Sequence, residues 1–95
     1  MASVEKIKTE IARIAKQRKN TTAAEIKWVV DQLEMNGYVA RSRDTSDGVL
    51  YTVGRTGFGV RRFGVCTHNR GNRQVKACYV DDFLEAMIEI GLYDE

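Results

Sequence analysis

Residues 38–66 form a block of β-type sequence that two turn clusters divide into three candidate strands. The clusters lie at 44–48, where Asp47-Gly48 is the preferred hairpin pair, and at 54–57. Because a three-stranded meander of this size needs helices over one of its faces, the flanking segments must supply them. The candidate strands are 38–41, 49–53 and 58–66.

Three other segments carry apolar residues at the spacing of an amphipathic helix. The first begins at Ser3, an N-cap residue, and the second begins with a capping box at 22–25. The second ends at Gly37, and the third starts near Tyr79 and ends at Gly91. The residues predicted to be buried are Val4, Ile7, Ile11, Ile14 and Ala15 in the first helix, Ile26, Val29, Val30 and Leu33 in the second, and Val80, Phe83, Leu84, Met87 and Ile88 in the third.

These elements predict an α+β fold, a two-layer sandwich in which helices cover a three-stranded antiparallel sheet. The order is α-β-β-β-α with an extra N-terminal helix. It divides the chain into an N-terminal helical extension at 1–20 and an α-β-β-β-α domain at 21–95. A chain of 95 residues has room for one such core, and 43% apolar with 29% charged residues exclude a disordered or fibrous chain.

The apolar runs are too short to span a bilayer, and the N-terminus lacks the apolar core of a secretory signal. Two cysteines are too few for a disulfide framework, so we expect a cytoplasmic protein without a membrane partner. Cys66, Cys78 and His68 do not make a zinc motif, because no CxxC pair and no fourth ligand accompany them. We therefore expect no metal and no cofactor.

The charges are strongly segregated along the chain, although the net charge is only +2. Residues 1–20 carry a net charge of +4, 21–40 carry −2, 41–80 carry +6 and 81–95 carry −6. Seven of the eight bases at 41–80 are arginines, whose planar guanidinium groups bind phosphate through two parallel hydrogen bonds. A block of this kind is the electrostatic signature of a domain that binds a polyanion.

Two stretches of the chain resemble the HicA family, the small toxins of toxin–antitoxin pairs, whose fold is similar to that of double-stranded-RNA-binding domains. The first is EIKWVVDQLEMNGY at 25–38, and the second is QVKACYVDDFLEAMIEIGLY at 74–93. The resemblance covers about residues 22–94 and lies in the helices and the order of elements. It therefore predicts the fold more specifically than the activity. The first helix lies outside it.

The resemblance implies metal-independent cleavage of messenger RNA by a histidine that follows a Gly-Ser pair at the entry to the second core strand. The matching stretch here is Thr45 to Val49, which contains Ser46 but no histidine. His68, the only histidine of the chain, falls in the loop after the third strand and is the candidate catalytic residue. Whether the chain is an enzyme is therefore left open.

Three functions fit these features. The chain is an RNA-binding domain, an active endoribonuclease that uses His68, or a protein-interaction module that docks an acidic partner such as an antitoxin. Strand aromatics (Tyr38, Tyr51, Phe58 and Phe63) could stack on unpaired bases if the sheet exposed them. The free edges of the sheet would permit pairing between copies. The candidate RNA-binding residues, expected to converge on one surface opposite the carboxylates of 81–95, are Arg41, Arg43, Arg61, Arg62, Arg70, Arg73 and Lys76.

Overall fold

The computed structural model describes residues 3–46, 48–66 and 75–94. It confirms the α+β class and the α-β-β-β-α order with an additional helix at the N-terminus. A single 3-10 turn, Arg18–Asn20, links the first two helices. The elements are α1 (Val4–Lys16), α2 (Ala23–Met35), β1 (Val39–Asp44), β2 (Gly48–Arg55), β3 (Gly59–Cys66) and α3 (Ala77–Glu89).

The helix boundaries follow from local capping chemistry. The Ser3 hydroxyl accepts a hydrogen bond from the Lys6 amide at 3.2 Å, and the Thr22 hydroxyl accepts one from the Glu25 amide at 3.3 Å. Gly37 and Gly91 end α2 and α3 with φ values of 85° and 78°, in the left-handed region that glycine adopts without strain. The predicted N-caps Ser3 and Thr22 and the stops at Gly37 and Gly91 are therefore confirmed, whereas the Glu25 carboxylate of the predicted capping box accepts from the Thr22 hydroxyl at 3.3 Å.

The three strands form an antiparallel meander in the order β1-β2-β3, and the helices cover one of its faces. α2 packs on β1 and α3 packs on β3, while α1 packs against both other helices. Because side chains alternate along each strand, one set points into the core and the other points away from the helices. The core-facing strand residues are Ala40, Tyr51, Val53, Phe63 and Val65, all of which are buried.

One hydrophobic cluster unites the sheet with all three helices. Phe63 contributes to its aromatic centre, where its ring centroid lies 5.3 Å from that of Tyr51 and 5.6 Å from that of Phe83. The isoleucines at 7, 11 and 14 in α1 are fully buried in the same cluster. The segment at 1–20 thus supplies part of the core. Ile88 was expected in the core but is 36% exposed, because the buried stripe of α3 continues to Ile90, which is 0% exposed.

The first hairpin closes one residue earlier than predicted. β1 continues to Asp44, and the Thr45 amide donates to the Gly48 carbonyl at 2.8 Å. Gly48 is therefore the first residue of β2 and not the centre of the turn. Asp47, the other half of the predicted pair, lies outside the described residues.

The second turn is also displaced from the predicted 54–57. β2 runs to Arg55, whose carbonyl accepts the Phe58 amide at 2.9 Å, so the turn occupies 56–58. Gly54 consequently lies inside the sheet. A Cβ there would be 2.9 Å from Val60 Cγ2 and 3.0 Å from the Gly59 carbonyl oxygen, so this position admits only glycine without rearrangement.

Candidate nucleic-acid interface

Arg61 and Arg62 of β3 point to opposite faces of the sheet, although the sequence analysis predicts both on one surface. Arg61 shares the helix-covered face with Phe63, and Arg62 points the opposite way. Arg61 Nη1 lies 2.6 Å from Glu89 Oε1, and its Nη2 lies 3.4 Å from Glu85 Oε2. The hydrogen bond to Glu89, followed by the negative charge of these carboxylates, raises the pKa of Arg61. Arg61 therefore secures α3 to β3.

Arg55 has a comparable structural role. Its Nη1 donates to the Ile90 carbonyl at 3.2 Å, at the C-terminal end of α3, where a positive charge is favourable. The guanidinium carbon lies 4.5 Å from the centroid of the Phe58 ring and 5.6 Å from that of Tyr38. The second hairpin is thus clamped onto the end of α3.

The sheet face that points away from the helices, here called the open face, carries three arginines. Arg41 of β1 and Arg62 of β3 are both in register with Thr52 of β2, so the three form one row across the sheet. Arg43 lies in the next row, and all three arginines are exposed. The remaining residues of the open face are Val39, Gly48, Leu50, Gly54, Val60, Gly64 and Cys66.

The open face has one sign of charge. Among the described strand residues, its only charged groups are these three guanidinium groups, and none has an ion-pair partner within the described parts of the chain. Strand geometry separates Arg41 from Arg43 by about 7 Å along β1 and from Arg62 by about 10 Å across the sheet. Several phosphates of one nucleic-acid strand could be contacted at these separations.

The strand aromatics do not provide a stacking surface on this face. Tyr51 and Phe63 are buried in the core, and Tyr38 is half-buried against it. Phe58 is 50% exposed, but it belongs to the turn and its ring contacts the Arg55 guanidinium. The open face as described can therefore contact a nucleic acid through phosphate and sugar rather than through stacked bases.

The remaining candidate residues do not join the three arginines. Lys76 is exposed at the start of α3, and the Val75 amide beside it donates to the Thr21 carbonyl at 2.8 Å, which places Lys76 in the helix layer. The candidate catalytic residue His68 and the candidate RNA-binding residues Arg70 and Arg73 lie outside the described residues. The expected convergence thus holds for Arg41, Arg43 and Arg62. Arg61 departs from it because its position in β3 directs it toward α3.

The acidic C-terminal segment lies on the helix side, as expected. Three of its carboxylates take part in ion pairs there: Glu85 and Glu89 with Arg61, and Asp81 with Arg18, whose Nε lies 2.9 Å from Asp81 Oδ1. Each helix has 13 residues, and no helix of the described chain is long and apolar enough to cross a membrane.

Comparison of the chain with protein-family models, curated proteins and solved structures gave no match. The HicA resemblance therefore stays a prediction.

Proposed function

We propose that this chain is a small RNA-binding domain that holds the RNA backbone against the open face. The observation that carries the proposal is the set of three exposed arginines on a face whose described strand residues include no carboxylate. Like charges on one sheet face do not stabilise a fold. Since no described residue compensates Arg41, Arg43 or Arg62, a ligand of opposite charge accounts for their arrangement.

The chemistry of the row favours RNA. A guanidinium group binds a phosphate through paired hydrogen bonds, and Arg41 and Arg62 present two such groups on either side of Thr52. The Thr52 hydroxyl can donate to or accept from a ribose 2′-hydroxyl, the group that distinguishes RNA from DNA. Because the described strand residues of this face include no aromatic side chain, we expect binding that depends weakly on base sequence.

The test is fluorescence anisotropy with a short single-stranded RNA at salt concentrations between about 50 and 200 mM. Three phosphate contacts predict a slope of log K against log salt concentration of about −2, because each contact on a single strand contributes about −0.7. A flat salt response would contradict the proposal. The control is Lys8→Gln, which removes one exposed positive charge from α1, and it should leave the slope unchanged.

RNA cleavage is not part of this proposal, because His68 lies outside the described residues. It stays a separate hypothesis with its own test. Growth arrest on expression that is relieved by His68→Ala, with the fold intact, would support cleavage.

A further inference from the structure

The outer half of β1 is exposed on both sides of the sheet. Arg41 and Arg43 point to the open face, and Ser42 and Asp44 point to the helix side, yet all four are exposed. β1 is also an edge strand, because the order of the sheet is β1-β2-β3. This end of β1 therefore extends beyond the helix layer, and no described element covers it.

The hydrogen-bond phase of the hairpin identifies the free backbone groups of β1. The Thr45 amide donates to the Gly48 carbonyl, so 45 and every second residue before it bond to β2. The amides and carbonyls of Ala40, Ser42 and Asp44 consequently point outward. They have no backbone hydrogen bond to any described residue. A row of this kind is a template for another strand.

Antiparallel pairing of β1 with β1 of a second copy is electrostatically unfavourable in the registers centred on 41, 42 or 43. If Ser42 pairs antiparallel with Ser42 of the other copy, Arg41 of each copy lies opposite Arg43 of the other. Registers centred on 41 or on 43 set an arginine directly opposite its own equivalent. Like charges directly opposite in an antiparallel pair are destabilising.

We propose that the β1 edge accepts an extended acidic segment of a partner protein as a fourth strand. Carboxylates at alternate positions of that segment repeat at about 7 Å, the same spacing as Arg41 and Arg43, and share their face of the sheet. Between the carboxylates, short hydroxyl side chains suit the neighbourhood of Ser42 and Asp44. The inference is independent of the RNA-binding proposal, but the two ligands would compete for Arg41 and Arg43.

The test uses a blocked peptide of alternating threonine and glutamate and measures amide hydrogen exchange of the full chain by NMR. At a free peptide concentration about ten times its Kd, exchange of the Ser42 and Asp44 amides should slow about tenfold. The affinity for the peptide should also fall as the salt concentration rises. No protection at millimolar peptide would overturn the proposal. Equal protection by a peptide with N-methylated backbone amides would also overturn it, because charge alone would then explain binding. Protection without peptide that grows with protein concentration would assign the edge to a second copy.

Two variants separate this inference from RNA binding. Ser42→Pro removes an outward amide while keeping Arg41 and Arg43, so it should abolish peptide binding and retain RNA binding. If Ser42→Pro is poorly folded, a charge exchange provides the second measurement. The double variant Arg41→Glu with Arg43→Glu should lose the glutamate peptide and bind the corresponding threonine–lysine peptide. Failure of that exchange would overturn the proposed pairing.

Discussion

Neighbouring arginines on opposite sides of β3 provide a matched test of the open face. Arg62→Gln removes a guanidinium group from the row with Arg41, whereas Arg61→Gln removes one that is ion-paired with Glu85 and Glu89. The two variants have the same net charge and differ by one position in the sequence. They therefore separate the effect of overall charge from the effect of the face on which the charge lies.

The expected loss for Arg62→Gln can be worked out from counterion release. One fewer contact reduces the magnitude of the salt slope by about 0.7 on single-stranded RNA. At a salt concentration of about 0.1 M, this corresponds to a roughly fivefold weaker affinity, or about 1 kcal/mol. Arg61→Gln should keep the slope and nearly all of the affinity, since exposed charges beyond about 10 Å are screened at this salt concentration.

The two variants should affect the stability of the fold in the opposite order, with the larger loss in Arg61→Gln. Arg61→Gln removes the positive charge between two carboxylates and should lower the urea midpoint, whereas Arg62→Gln should leave the midpoint unchanged. Anisotropy titrations with one RNA at several salt concentrations, combined with urea unfolding, measure both effects. Equal affinity losses in the two variants, or a larger loss in Arg61→Gln, would refute the assignment of the binding face.

Three further predictions concern the fold that supports this face. Gly54→Ala should lower the free energy of unfolding in urea by about 1–3 kcal/mol, because its Cβ would meet Val60 and the backbone. Gly64→Ala, with open space at its Cβ, should raise it by up to about 1 kcal/mol, and equal effects of the two variants would contradict the register. Phe63→Ala should cost about 3–5 kcal/mol, measured in the same way, because the ring is 4% exposed between aromatic neighbours. Burial raises the pKa of Tyr51, so the folded state holds the phenolic proton more tightly than the unfolded state. The stability that this raised pKa contributes is present in full below the ordinary tyrosine pKa of about 10 and is lost as the pH rises through the higher pKa of the folded state. Above pH about 10, the urea midpoint of Tyr51→Phe should therefore fall less steeply with pH than that of the unsubstituted protein.

The helices could be predicted from the sequence because their signals are local. A cap such as Ser3 or Thr22 acts on an amide three residues away, and Gly91 ends α3 through its own left-handed backbone conformation. The prediction was less accurate at the end of α3. The Leu92 amide returns to the Met87 carbonyl at 2.8 Å, and this turn brings Ile90 into the core in place of Ile88.

The division of the arginines depends on register, which the turn clusters located only approximately. Alternation along β3 does contain the signal: Phe63 and Val65 are core residues, and Arg61 shares their parity whereas Arg62 does not. The carboxylates that bind Arg61 could not be identified in this way. Glu85 and Glu89 lie 24 and 28 positions away, and only the packing of α3 on β3 brings them there.

The acidic helix side does not cancel the basic open face, so the proposed binding of a polyanion is compatible with a net charge of only +2. Arg61 offsets one of the two negative charges of Glu85 and Glu89, and Arg18 offsets the charge of Asp81. The exposed carboxylates of α3 and the guanidinium groups of Arg41 and Arg62 lie on opposite sides of the sheet, and interactions between solvent-exposed charges are largely screened beyond about 8 Å at physiological ionic strength. In the proposed complex, an approaching RNA therefore meets the potential of the open face, whereas net charge governs solubility and long-range attraction. Since the ion pairs of Arg61 also fix α3 beneath β3, the contacts that offset part of the charge of the acidic helix help to hold the sheet in the geometry that presents the other arginines.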